Sequence, residues 1–135
     1  MTQEDKELLI KDLCARLNTN LVCSIYRIDD YGVGYRDEIL SGYCKGDIWD
    51  EFYFGDDCGI GIDNVSKIKP YLFPLSSMTD EQKKEYAHIL VMSSNLACSQ
   101  LIGETTQDWF NKNHFDYRGL IPMGLAEDAT DKNIY

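Results

Sequence analysis

The chain has 135 residues, the length of one ordinary domain, and 44% of them are hydrophobic against 27% charged; that is enough apolar material for a core without disulfide or metal staples, and too much for a disordered chain. Its formal net charge of −10 disfavours direct nucleic-acid binding, because affinity for phosphate comes mainly from lysine and arginine displacing counterions. No run approaches the roughly 18 apolar residues of a membrane span, and MTQEDKELL at the start is acidic and helical where a signal peptide is basic and then apolar, so a soluble cytoplasmic protein without membrane association is expected.

In chain order, Thr2 is the expected N-cap of a first helix, with Asp5 at the acid position of a capping box. The helix is predicted to run to about Leu17. Leu9, Leu13 and Leu17 recur at i+4 with Ile10 and Cys14 beside them, while Glu4, Lys6, Glu7, Lys11 and Asp12 form the polar face. Asn18, Thr19 and Asn20 close it. LVCSIYRI (Leu21 to Ile28) reads as a strand from its β-branched and aromatic content, Asp29 to Gly32 as a turn, and VGYRDEIL (Val33 to Leu40) as a second strand paired antiparallel to the first.

Ser41 to Asp47 is expected to be a further Gly-containing break. IWDEFYF (Ile48 to Phe54) then alternates Ile48, Asp50, Phe52 and Phe54 against Trp49, Glu51 and Tyr53, and an acid on each face suits an edge strand. GDDCGIGIDN reads as a loop with a short strand at Ile60 to Ile62. Val65 to Leu75 reads as an extended connector that Pro70 and Pro74 keep out of a central strand and out of a helix. The second half opens on a helix start, since Thr79 with Gln82 forms a capping-box pattern and Asp80 and Glu81 complement the helix dipole. Tyr86, Ile89, Leu90, Met92, Ala97, Leu101 and Ile102 carry an apolar pattern to Gly103, as one helix or as two broken near Ser93 to Asn95. Thr105 or Thr106 caps the next helix, which holds Trp109 and Phe110 and breaks at Asn113 and His114. The segment HFDYRGLIPMGLAEDA packs aromatic and aliphatic groups before a polar tail.

KPYLFPLSSMT, followed by an acidic and lysine-rich helix, and FDYRGLIPMGLA near the end resemble small uncharacterised proteins carried by phages and mobile elements of gut anaerobes. The likeness covers the first helix and roughly the last half, and leaves Leu21 to Asp63 unmatched. It implies a phage-derived or mobile-element accessory protein. Those proteins have no established activity, so it implies no catalytic residue.

Catalytic signals are weak. Neither His88 nor His114 has a serine or cysteine beside it in an elbow. Gly59-Ile60-Gly61 and Gly32-Val33-Gly34 lack the third glycine and the following helix of a dinucleotide fingerprint. The five cysteines, Cys14, Cys23, Cys44, Cys58 and Cys98, include no CxxC pair and read as small, mostly buried apolar residues, Cys58 being the most exposed. Asp56, Asp57 and Asp63 depart from EF-hand spacing, so no metal and no cofactor are expected. Asp50 and Glu51 are adjacent on a strand, face opposite ways, and do not form a glycosidase pair.

Charge is the stronger signal. Residues 29 to 63 hold ten acids against Arg36 and Lys45, net −8 of the total −10. Carboxylates beside Tyr31, Tyr35, Tyr43, Trp49, Tyr53 and Phe54 suit a basic protein surface, with aromatics as buried anchors; the same composition also suits a merely solvated acidic face. The candidate binding residues are Asp47, Trp49, Asp50, Glu51, Tyr53, Asp56 and Asp57. The expected architecture is a single α+β domain: an N-terminal helix, a small and mainly antiparallel sheet, and C-terminal helices packed on it, with the sheet in about residues 1–75 and the helices in about 76–135. Three functions stay open. The chain is read first as a nonenzymatic acidic protein-interaction module, next as an inhibitor that mimics DNA or occupies a basic surface, and last as an enzyme whose site is assembled from distant residues.

Overall fold

The computed structural model describes residues 1–30, 32–55, 59–94 and 105–135. Helix α1 (Gln3–Ala15) leads into strands β1 (Val22–Asp29), β2 (Gly32–Lys45), β3 (Asp50–Phe54) and β4 (Ile60–Gly61). A 3-10 segment (Ile62–Lys67) precedes strand β5 (Ile68–Leu72), and helices α2 (Asp80–Ser94) and α3 (Thr106–Lys112) precede strand β6 (Glu127–Asp128). The described strands form one sheet in the order β4-β3-β2-β1-β5-β6, antiparallel except for the β5–β6 pair. The fold class is the expected α+β. The apolar pattern over Ala97, Leu101, Ile102 and Gly103, and the thiols of Cys58 and Cys98, lie outside the described residues.

Local rules place the helix starts. Thr2 accepts from the Asp5 amide and Asp5 accepts from the Thr2 amide, both at 3.1 Å. The same reciprocal box recurs at Thr79 with Gln82 and at Thr105 with Asp108, satisfying amides that a helix start leaves without partners. Helix α1 stops at Ala15, two residues short of expectation, and Asn18 and Asn20 take positive φ behind it, a conformation asparagine tolerates better than most residues.

Two features of the sheet depart from the sequence reading. β2 runs through the expected break at Ser41, with a bulge between Leu40 and Gly42, and reaches Lys45 before turning. An extra residue is absorbed as a bulge, which bends a strand without ending it. Pro70 sits inside β5, between β1 and β6. Register explains this. The Leu40 amide donates to the Leu21 carbonyl and the Val22 amide points the other way, to the Tyr135 hydroxyl, so even-numbered residues of β1 face β5. Ser24 pairs with Lys69, which leaves the nitrogen of Pro70 turned away from β1, beyond the reach of β6, which pairs only with Tyr71 and Leu72. β6, at the end of the segment HFDYRGLIPMGLAEDA that was expected to pack, brings the second half of the chain back to the sheet as a strand.

One face of the sheet is covered. Cys23, Ile25, Leu40, Phe52, Phe54, Ile68 and Leu72 pack against Leu9 and Leu13 of α1, Val65 of the 3-10 segment, and Leu120, Leu125 and Ala126. Helices α2 and α3 join through a second cluster of Ile89, Trp109, Phe110 and Phe115, with Tyr86 and Tyr117 against it. Phe73 links the two: its amide donates to the His114 carbonyl and its carbonyl accepts from the Asp116 amide, each at 2.8 Å.

Asp12, expected on the polar face of α1, is fully buried. It is inside because two arginines meet it. Arg16, also fully buried, gives its Nε to Asp12 Oδ2 at 2.8 Å, and Arg118 Nε reaches Asp12 Oδ1 at 3.2 Å. Arg16 Nη2 donates to the Phe115 carbonyl at 2.6 Å, and both guanidinium groups lie over the Tyr117 ring. Removing one partner of such a pair strands a buried charge, whereas replacing both with apolar groups is often close to neutral. Arg16→Met is expected to destabilise the fold by roughly 3 to 5 kcal/mol, and Asp12→Leu added to it to recover most of that loss. Denaturant melts of the single and double variants check this; equal losses in both would show that the pairing is not the source.

Candidate functional site

The two faces of the β1–β2 hairpin carry different chemistry. Cys23, Ile25 and Leu40 point into the core. Opposite residues of an antiparallel pair share a face, so Val22 and Ile39, Ser24 and Asp37, Tyr26 and Tyr35, and Ile28 and Val33 stand together on the other side. Among the described residues no helix covers that side. Ile28 is 69% exposed, Val33 65%, Tyr35 67% and Ile39 49%. Tyr26 and Tyr35 meet edge to face at 5.2 Å, and the Tyr71 hydroxyl donates to Asp37 Oδ1 at 2.8 Å. Asp37 and Ser24 thus mark a polar rung in the middle of an otherwise apolar and aromatic stripe. Toward the hairpin tip the opposite face turns polar, where Arg27 pairs with Glu38 at 2.7 Å.

The expected binding residues fall into two sets. The chain reverses between β2 and β3 through Gly46, whose amide donates to the Trp49 carbonyl and whose position leaves no room for a Cβ against that oxygen. Ile48 and Trp49, expected to open the strand, are in this turn, 83% and 58% exposed, and Asp47 is exposed beside them. Glu51 gathers its neighbours: Trp49 Nε1 donates to Oε1 at 2.6 Å and the Tyr53 hydroxyl to Oε2 at 3.0 Å. Trp49, Glu51 and Tyr53 therefore form one unit on the outward side of β3, and the hydrogen bond to Glu51 raises the Tyr53 phenol above its ordinary pKa.

Asp50 belongs to the other side. It accepts from the Tyr43 hydroxyl at 2.7 Å, which pushes the Tyr43 phenol up to about 12, and Tyr43 leans on Phe52. Tyr43 and Phe54, expected among the recognition aromatics, are turned inward. β3, expected as an edge strand, lies one place in from the sheet edge, where among the described residues the two residues of β4 pair outside it. Asp56 and Asp57 lie outside the described residues. The sequence reading missed Tyr26, Ile28, Val33 and Ile39 as surface residues. The alternation of Tyr26 and Ile28 with Ile25 and Arg27, and of Val33 and Ile39 with Gly34, Arg36 and Glu38, was the available signal, but alternation does not say which face a helix will cover.

His114 is buried and stacks on the Tyr135 ring at 3.8 Å, with 9° between planes. The Tyr135 hydroxyl accepts from the Val22 amide at 3.1 Å and donates to the Tyr71 carbonyl at 2.9 Å, pinning the start of β1 to β5. Burial, and then the nearby Arg16 charge, lower the His114 pKa to about 4. His88 is exposed on α2. Neither histidine lines any of three shallow clefts of about 210 to 220 Å³, volumes below the roughly 300 Å³ at which ligand pockets begin. Among the described residues no three His, Cys, Asp or Glu side chains gather as a metal site requires, and no helix is long and apolar enough to cross a membrane. Cys23 is buried, its thiol pushed up by desolvation, whereas Cys44 is exposed on β2 against the expectation of buried thiols. No protein-family model matches the chain, and neither a curated protein nor a solved structure is similar to it.

The lowered His114 pKa sets a pH dependence of stability. Between about pH 6.5 and 4 the unfolded chain takes up a proton that the folded chain refuses, so stability falls as pH falls through that window. His114→Asn keeps a residue suited to the positive φ of 61° and has no proton to gain. Its stability should decline less than that of the parent between those pH values, by roughly 2 kcal/mol after discounting for solvent screening, as read from melts at stepped pH.

Proposed function

We propose that the protein is a nonenzymatic interaction module that meets a basic protein through the uncovered face of the β1–β2 hairpin and the β2–β3 turn. The observation that carries this reading is the concentration of exposed apolar groups there: Ile28, Val33, Tyr35, Ile39, Ile48 and Trp49. Scattered exposed apolar residues need no explanation, but a cross-strand stripe of them with a tryptophan on the next turn is the composition of a contact core. The acids around it, Asp30, Asp37, Asp47 and Glu51, supply the rim, and the partner it suits carries lysine or arginine around apolar groups.

DNA mimicry is the weaker reading. It calls for carboxylates spaced like phosphates, whereas Asp37, Asp50 and Glu51 are each tied to a tyrosine or tryptophan and Glu38 to Arg27. An enzyme reading calls for a pocket served by titratable groups, and the clefts described here are small and have no histidine.

Core and surface substitutions separate the roles. Ile28→Ser and Trp49→Ala should leave the denaturant midpoint within about 0.5 kcal/mol of the parent, while Leu72→Ala, at a fully buried position, should cost roughly 2 to 5 kcal/mol. Binding to a lysine-rich peptide should weaken steeply as salt rises, since exposed charges are screened within about 8 Å at physiological ionic strength, and should weaken again in Ile28→Ser and Trp49→Ala. Binding indifferent to salt and to both substitutions would remove the proposal.

A further inference from the structure

Along β2 the sheet has a lane that β3 enters and then leaves. Among the described residues β3 pairs with β2 from Lys45 back to Leu40, and past that pairing the Gly55 amide donates to the Ile39 carbonyl. Gly55 then takes a φ of +57°, a left-handed turn that glycine makes without strain, and the chain returns as β4 on the far side of β3, with Ile60 against Phe52. Beyond Ile39 the direction of the backbone groups is fixed by register. Leu40 and, by alternation, Glu38, Arg36 and Gly34 turn their amides and carbonyls to β1, so Val33, Tyr35 and Asp37 turn theirs into the vacated lane. Among the described residues no strand occupies it. The same three residues hold their side chains on the exposed face.

We propose that this lane takes an extended segment of a basic partner, added antiparallel to β2 in line with β3 and bonded to the backbone of Val33, Tyr35 and Asp37. Strand addition supplies affinity through main-chain bonds and specificity through alternate side chains. On the exposed face the guest sets apolar residues beside Val33 and Tyr35 and a lysine or arginine beside Asp37. The charge of the surrounding segment, net −8 over residues 29 to 63, selects a basic guest and repels a second copy of this acidic chain. This rests on the interface reading above and specifies how contact is made.

The test follows amide hydrogen exchange by NMR in the intact protein, with a capped ten-residue basic peptide as the probe, in which lysine, valine and valine follow one another in chain order at alternate positions, to stand beside Asp37, Tyr35 and Val33, with lysine and threonine between them. At saturating peptide, exchange at Val33, Tyr35 and Asp37 should slow by tenfold or more, while Gly34, Arg36 and Glu38, already bonded to β1, change little. Tyr35→Pro removes a lane-facing amide and no β1 bond, so it should weaken peptide binding at least tenfold with the melt unchanged. If Tyr35→Pro fails to fold, the exchange pattern of the parent protein still decides. Binding that Ile28→Ser weakens but that leaves the three amides unprotected would overturn strand addition while keeping the face as an interface. No binding of the peptide would overturn both.

Discussion

Arg16 is where three parts of the chain are held in one arrangement. It leaves the end of α1, closes on Asp12 one turn back, and reaches the Phe115 carbonyl in the segment that joins the helical cluster to the sheet. Its net contribution to stability is modest, because two desolvated charges recover little more than they lose. What it fixes is position. Its guanidinium satisfies a carbonyl and a carboxylate that have no water to turn to, and with α1 locked this way Leu9 and Leu13 must lie on Cys23, Ile25 and Phe52. Covering that face of the sheet leaves Ile28, Val33, Tyr35 and Ile39 exposed on the opposite one.

What was legible in the sequence was local. The capping boxes of Thr2 with Asp5 and Thr79 with Gln82 are set by residues three apart and form where the pattern put them, and of the two caps left open for the third helix, Thr105 takes the position and closes its box with Asp108. The hairpin was legible too, because Asp29 to Gly32 is a turn by composition and Gly32 takes the positive φ that such a short connection demands. Pro70 was not. Whether proline breaks a strand depends on which side its nitrogen faces, and that is set by the pairing of Ser24 with Lys69, 45 positions apart. Asp12 failed for the same reason at greater range: its second partner, Arg118, is 106 residues away, and a sequence window sees only a charged residue on a helix.

The candidate surface shows the same division. Trp49, Glu51 and Tyr53 were legible as neighbours because alternation puts every second residue of a strand on one side. Asp50 was read with them and belongs elsewhere, since a carboxylate pointing inward needs a donor, and Tyr43 on the neighbouring strand provides it. The hairpin residues Ile28, Val33 and Ile39 are the apolar types expected inside. They are outside because, among the described residues, α1, the 3-10 segment and the Leu120 to Ala126 segment pack on the opposite face of the sheet.

Charge and apolar contact do separate jobs on such a surface. The acids are mostly exposed or half-exposed, where a single ion pair adds little, with a median below about 1 kcal/mol; their combined field acts over longer range, speeding encounter with a cation and rejecting an anion. Residence depends on groups that lose water on contact, and on the proposed surface the exposed groups of that kind are Tyr35, Val33, Ile28 and Trp49. An acidic chain with a wholly polar sheet face would attract basic partners and release them quickly. An apolar face on an uncharged chain would bind itself. In the proposed interface, an apolar stripe set in the most acidic quarter of the chain would answer both problems, since a field that draws a basic partner in also keeps a second copy out.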